Sequence, residues 1–221
     1  MNRINRTEAR YALVNRIFFP LYLLLCAVLA AVYALKRDGY HLGISLGALA
    51  IPIAMALFYR LTGLKVVHQI DFIILAFTLI AYPLGSCLDF YARFPGYDKL
   101  MHMLSGAFVS VLCILLYCAL KPGHRIGSGD FWLALLFTFF GSMAVAGLWE
   151  LAEYGINLVT GRDVQHVLDT GVGDTMQDMI VCMLGTLATL PAAARLTSGR
   201  CALLSGAVRA FVEKNLCEGT E

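Results

Sequence analysis

Seven polar residues in this chain have the types and the spacing that chemistry needs: Asp98 and His102, Glu150 and Glu153, and Asp169, Asp174 and Asp178. They flank or enter three strongly apolar stretches. In a helix, residues three and four apart share a face. Asp98 therefore faces the same way as His102, Glu150 as Glu153, and Asp174 as Asp178. A set of carboxylates with one imidazole suits a divalent cation such as Mg, Mn or Zn better than an ion that prefers thiolates. The same groups also serve as general acids and bases. Asp98, His102, Glu150, Glu153 and Asp178 are the candidate catalytic residues, and these five with Asp174 are the candidate metal ligands.

Their setting makes them costly. An acidic residue at the centre of a spanning helix costs about 2.5–3.5 kcal/mol, and less near the interface. Carboxylates one turn apart also repel. A bound divalent cation is the most economical compensation. Lys99, Arg162 and Arg93 are the other compensation. Each group also has a plainer role: Asp98 or Asp174 as a helix cap, His102 as a satisfied bundle histidine, Glu150 and Glu153 in ion pairs with Lys99 or Arg162. The segment Asp174-Thr175-Met176-Gln177 reads like a capping box. Asp130, before Phe131, reads as a plain N-cap. Asp169 is the weakest member of the set. Of Asp71 and Asp89, which flank the third span, only Asp89 lies on the side to join the site.

The elements that must hold these residues are membrane spans. The chain has 221 residues, of which 59% are hydrophobic and 14% charged. Its mean hydropathy is +0.73. Soluble domains carry roughly 25% charged residues, so a water-soluble fold is excluded. Six apolar runs approach the ~20 residues that a bilayer requires: 17–35, 42–59, 70–88, 100–120, 131–157 and 178–196. The fold expected is all-α, a polytopic transmembrane helical bundle. A basic segment over 1–16 precedes the transmembrane domain over 17–196, and an amphipathic tail over 197–221 follows it. The first run is too long for a signal peptide and reads as a retained span.

Lysine and arginine set the orientation. With a cytoplasmic N-terminus, the inner segments hold Arg3, Arg6, Arg10, Arg16, Arg60, Lys65, Lys121, Arg125, Arg195, Arg200, Arg209 and Lys214. The outer loops hold only Lys36, Arg37, Arg93, Lys99 and Arg162. Both termini are expected inside, which brings all three acidic elements to the outer face. In the tail, Leu204, Val208, Phe211 and Leu216 alternate with Arg209, Glu213 and Lys214. This pattern suits a helix on the inner surface or one packed under the bundle. Gly106 with Ser110, and Gly141, Ala144 and Gly147, have the small-residue spacing of close helix packing. Pro20, Pro52 and Pro83 are expected to start or kink spans. The seven cysteines include no C-x-x-C pair and read as buried apolar residues. No basic tract with interleaved aromatics appears, so nucleic acid is not an expected partner.

Tyr97-Asp98-Lys99 with His102 and Gly106, Trp149-Glu150 with Glu153, and Gly173-Asp174-Thr175 with Asp178-Met179 and Gly185 resemble the YjdF-type bacterial inner membrane proteins. The order is distantly similar to VanZ-like proteins, from which this chain departs in its second glutamate and extra spans. The resemblance covers roughly 89–190. It implies a multi-pass protein of the bacterial plasma membrane, and the VanZ association with glycopeptide resistance implies work on the envelope. Gly171-Val172-Gly173-Asp174 with Tyr97-Asp98 also resembles motifs of intramembrane aspartyl proteases, but here a whole span separates the two aspartates. Three functions share the same residues. The first is a metal-dependent enzyme acting on a lipid or lipid-linked envelope substrate. The second is an ion- or proton-coupled transporter or binding protein. The third is a scaffold whose polar cluster locks helices together. Membrane lipids are the partners all three require.

Overall fold

The computed structural model describes residues 3–124, 126–165, 167–197 and 203–216. Among them the chain is helical, with no strand. His166, Arg125, Arg200, Cys201 and Cys217 lie outside the described residues. The long helices are α1 (Arg3–Leu35), α2 (Gly39–Thr62) and α3 (His68–Leu79), which continues as a π-helical stretch over Ile80–Cys87. A short α4 (Phe90–Arg93) precedes α5 (Tyr97–Leu120) and α6 (Phe131–Thr160). Then follow a one-turn α7 (Val167–Thr170), α8 (Gly173–Thr197) and α9 (Leu203–Asn215). Five helices among the described residues are long and apolar enough to cross a membrane: α1, α2, α3 with its continuation, α5 and α6. The sixth expected span lies within α8, which has 25 residues.

Helix boundaries differ from expectation where a polar residue extends a helix beyond its apolar run. α1 has 33 residues, or about 50 Å at 1.5 Å per residue. It therefore takes in most of the basic segment expected to precede the first span. Pro20 and Pro52 lie inside α1 and α2. Pro83 lies inside the π-helical stretch, where its missing N–H leaves the backbone ladder to widen. Asp130 occupies the N-cap position of α6 without capping it. Its carboxylate instead accepts from Lys121 and from Gly127 N.

The chain forms two compact units. The first comprises Met1–Tyr97 with the residues from Glu213 onward. Its core is Tyr22, Cys26, Ala48 and Leu75, wrapped by Phe18, Leu49 and Met55. The Tyr22 hydroxyl donates to Ala48 O at 2.7 Å, which satisfies its one polar atom inside this core. Val67 offers no side-chain cap to α3. Glu8 supplies one instead: its carboxylate accepts from His68 N at 3.0 Å and Gln69 N at 3.2 Å. Lys214 donates to the same carboxylate at 2.7 Å and to Val66 O at 3.0 Å. Asn15, whose Nδ2 donates to His68 O, ties α1 to α3 again.

The second unit, Asp98–Val212, is built on small residues. A Cβ on Gly106 would collide with the carbonyl oxygen of Cys182, and one on Gly185 with that of Met103. α5 and α8 thus cross with backbones in contact, as small residues permit in membranes. Ser142 Oγ and Thr186 Oγ1 lie 2.8 Å apart at this crossing, and Ser142 also donates to Gly106 O at 3.2 Å. Both side chains are fully buried. Gly141 packs closely against Cys113 Sγ, whereas an added Cβ at Gly147 meets nothing within 4 Å. Gly147 therefore leaves the expected packing stripe. Gly185→Ala is expected to destabilise the protein by about 3 kcal/mol, because overpacking here strikes backbone that cannot yield. Gly147→Ala should stay within about 0.5 kcal/mol of wild type. Thermal melting of both variants in one detergent checks the contrast.

Candidate functional site

The crossing of α5 and α8, with α6 beside it, brings six of the seven residues into one cluster inside the second unit. α5 contributes Asp98 and His102, α6 contributes Glu150 and Glu153, and α8 contributes Asp174 and Asp178. Two ligand sets result. Asp98, His102 and Asp178 each place one ligand atom within 4.8 Å of the others, and so do His102, Glu150 and Glu153. His102 belongs to both. Asp178 and Glu150 are buried, at 2% and 7% exposure. Asp169 stands exposed on α7 and joins neither set.

Lys99 organises one half of the cluster. Its Nζ donates to Asp98 Oδ2 at 3.1 Å, to Asp174 Oδ1 at 2.5 Å, and to Asp178 Oδ1 and Oδ2 at 2.8 and 2.9 Å. The His102 ring lies beside the same group, with Nε2 at 3.5 Å from Asp98 Oδ1 and 3.7 Å from Asp178 Oδ1. Lys99 thus meets all three of these carboxylates. Arg93 lies in the first unit, 3.9 Å from Asp89 with both side chains exposed. Asp71, in the same unit, accepts from the Tyr59 hydroxyl at 2.7 Å. Asp174 is not the N-cap of α8. The helix begins at Gly173, and Asp174 N donates to Thr170 Oγ1 at 3.3 Å. The side chain is thereby left for Lys99.

The other half has no such lysine. Glu153 Oε1 accepts from the Trp149 indole at 2.8 Å. Gln165 Nε2 donates to Glu150 O at 3.0 Å, and lies 3.5 Å from both Glu150 Oε2 and Thr175 Oγ1. Glu150 Oε1 is buried and accepts no hydrogen bond among the described residues. An unpaired buried carboxylate oxygen is expensive. One carboxylate oxygen of Glu150 lies within 4.8 Å of a ring nitrogen of His102 and a carboxylate oxygen of Glu153, a spacing that could hold a cation. Three carboxylates share Lys99 and two more lie beside His102, an excess of acidic groups that a divalent ion would offset. α6 runs to Thr160, so Glu150 lies almost three turns from its end, deeper than the sequence suggests.

Two residues escaped the candidate set. Lys99 was visible only as a compensating charge, because neighbouring positions on a helix do not face each other; its long side chain reaches back across the face. Gln165 lies in the loop after α6, where its sequence carries no periodic signal, yet it is 7% exposed. Ser105 shares a face with His102, but its hydroxyl donates to His102 O at 2.8 Å and stays within the helix.

A family model described as "Predicted membrane protein (DUF2238)" matches residues 18–199. No curated protein and no solved structure matches the chain.

Proposed function

The chain belongs to the DUF2238 family of predicted membrane proteins, and we propose that it is a divalent-cation-dependent membrane enzyme acting on a lipid or lipid-linked envelope substrate. The observation that carries this reading is Glu150, whose buried Oε1 accepts no hydrogen bond among the described residues and whose carboxylate groups with His102 and Glu153. His102, Glu150 and Glu153 hold the cation. Trp149 and Gln165 orient the two glutamates, as outer-shell partners do in metal sites. A cation held there lowers the pKa of a bound water or polarises a phosphoryl or carbonyl oxygen. Asp98 and Asp178, both close to His102 Nε2, move protons. Lys99 holds those two carboxylates in place and offers an ammonium to a substrate anion.

The site belongs at the outer leaflet of the bacterial plasma membrane. The support is the excess of Lys and Arg in the inner segments. A second support is that Glu8, Lys65 and Lys214 meet at one end of the first unit: Lys214 bonds Glu8, and Asn215 accepts from Lys65 N. These residues come from the N-terminal helix, the α2–α3 loop and the tail, all assigned to the cytoplasm. With Glu8 and Lys214 on one side, an even number of crossings lies between them, which supports reading α8 as the sixth span. The YjdF-type resemblance is consistent with the family, and the VanZ-like envelope association adds to the choice of substrate.

Cation- or proton-coupled transport is a second reading, favoured by Lys99, a tethered cation that an incoming one must displace from three carboxylates. One preparation separates the two. The protein in proteoliposomes made from bacterial envelope lipids, given Mn²⁺ or Mg²⁺, should convert a lipid to a new species seen by mass spectrometry. Chelator and Glu153→Gln should both stop the conversion. Metal-dependent ion flux with no lipid product contradicts the enzyme.

A further inference from the structure

The first unit contains a cavity of about 460 Å³, remote in sequence from the acidic cluster and lined by α1, α2 and α3. Its polarity is graded along the helices. At the end where α2 stops and α3 starts, the walls carry Asn15, Arg16, Tyr59, His68 and Asp71, with Asn15 Nδ2 spent on His68 O. One to three turns further from the α2–α3 loop, they carry Phe19, Pro20 and Pro52. Arg16 and Phe19, which mark the two ends, are both exposed, so a ligand can reach the cavity from outside the unit. A volume of this size suits a small headgroup and the start of a chain.

The two charges define the headgroup. Arg16 is a fork of donors suited to a phosphodiester. Asp71 is an acceptor that already takes the Tyr59 hydroxyl hydrogen at 2.7 Å, and a carboxylate has room for more donors. Lys214, the tail cation of this region, is engaged by Glu8 and by Val66 O. A ligand that completes the set carries a phosphate for Arg16 and an N–H-bearing cation for Asp71, with an apolar chain leading toward Phe19 and Pro52. A quaternary ammonium has no N–H to give, and a glycerol headgroup has no cation.

From this we propose that the cavity binds a membrane phospholipid with a primary-ammonium headgroup, of the phosphatidylethanolamine type, taken from the leaflet at the α2–α3 loop end. The site is independent of the catalytic reading and survives its failure.

Native mass spectrometry of the delipidated full-length protein tests it, with dioleoyl phosphatidylethanolamine, phosphatidylcholine and phosphatidylglycerol as probes. Wild type should retain the ethanolamine lipid over the choline lipid by about tenfold, the size of one charge-assisted hydrogen bond. Asp71→Asn keeps an acceptor for Tyr59 and should bring that ratio near unity. Arg16→Gln should weaken the ethanolamine and glycerol lipids together. Tyr59→Phe leaves the Asp71 charge in place and should keep the preference, which provides a test should the Asp71 variant not fold. Equal retention of ethanolamine and choline lipids by wild type overturns the proposal. So does preference for the glycerol lipid, a preference that survives Asp71→Asn, or one that Tyr59→Phe abolishes.

Discussion

Glu150→Gln should lower the affinity of the full-length protein for Mn²⁺ by at least about 100-fold, the upper end of what losing a supporting outer-shell residue costs. The substitution preserves shape and removes the charge. In wild type, Oε1 is buried with no hydrogen-bond partner, and the Gln165 amide lies on the side of the other oxygen. A neutral amide at this position no longer places a charge at a buried atom without a partner among the described residues. The metal-free variant should therefore be at least as stable as wild type. Weaker binding together with an unchanged or higher melting temperature is the signature of a ligand. A residue holding the fold would show the reverse. Melting curves with chelator, and binding curves with Mn²⁺, supply both halves of the comparison.

Lys99→Met should destabilise the protein by about 3 kcal/mol, at the lower end of the cost of breaking a buried ion pair because the lysine side chain is 25% exposed. For a chain of this length that is a fall in melting temperature of roughly 6–12 °C. The variant leaves Asp98, Asp174 and Asp178 facing one another without their shared donor. The effect should be largest at neutral pH and in chelator. Mn²⁺ should recover part of the loss, because Asp98, His102 and Asp178 already have ligand spacing and the lysine no longer competes. The exposed 3.9 Å contact of Asp89 with Arg93 is the control: Asp89→Asn should cost no more than about 0.5 kcal/mol. Equal effects of the two substitutions, read by thermal melting, would contradict the place given to Lys99.

What was legible in the sequence follows from what helices repeat. Apolar runs near 20 residues gave all-α spans, and the four-residue spacing gave the shared faces of Asp98 with His102 and Asp174 with Asp178. That these faces point at one another depends on Gly106, whose spacing in sequence reads as packing, and on Gly185, which no packing motif marks. Tertiary contact decides the rest. Asp174 reads as a cap because its local motif is a good one, but Lys99, 75 residues away in sequence, claims its carboxylate. Glu8 reads as one more charge in a basic segment, yet it caps α3 across 60 residues. Gln165 is invisible for the same reason: its contacts are to Glu150 and Thr175, and no period marks them. The tail helix was expected as amphipathic, and α9 forms with Val208 buried, while Leu204 falls among side chains that are not described.

His102 is the one residue common to both ligand sets, so it offers the most direct test of the central claim that this cluster is a cation site. The measurement is a calorimetric titration of Mn²⁺ into full-length, chelator-washed protein, wild type beside His102→Ala. Wild type should bind about one ion per chain, since Lys99 holds the second set and imidazole with carboxylates suits this ion. The variant should bind none in the same range. No binding by wild type, or the same binding by a folded His102→Ala protein, would contradict it.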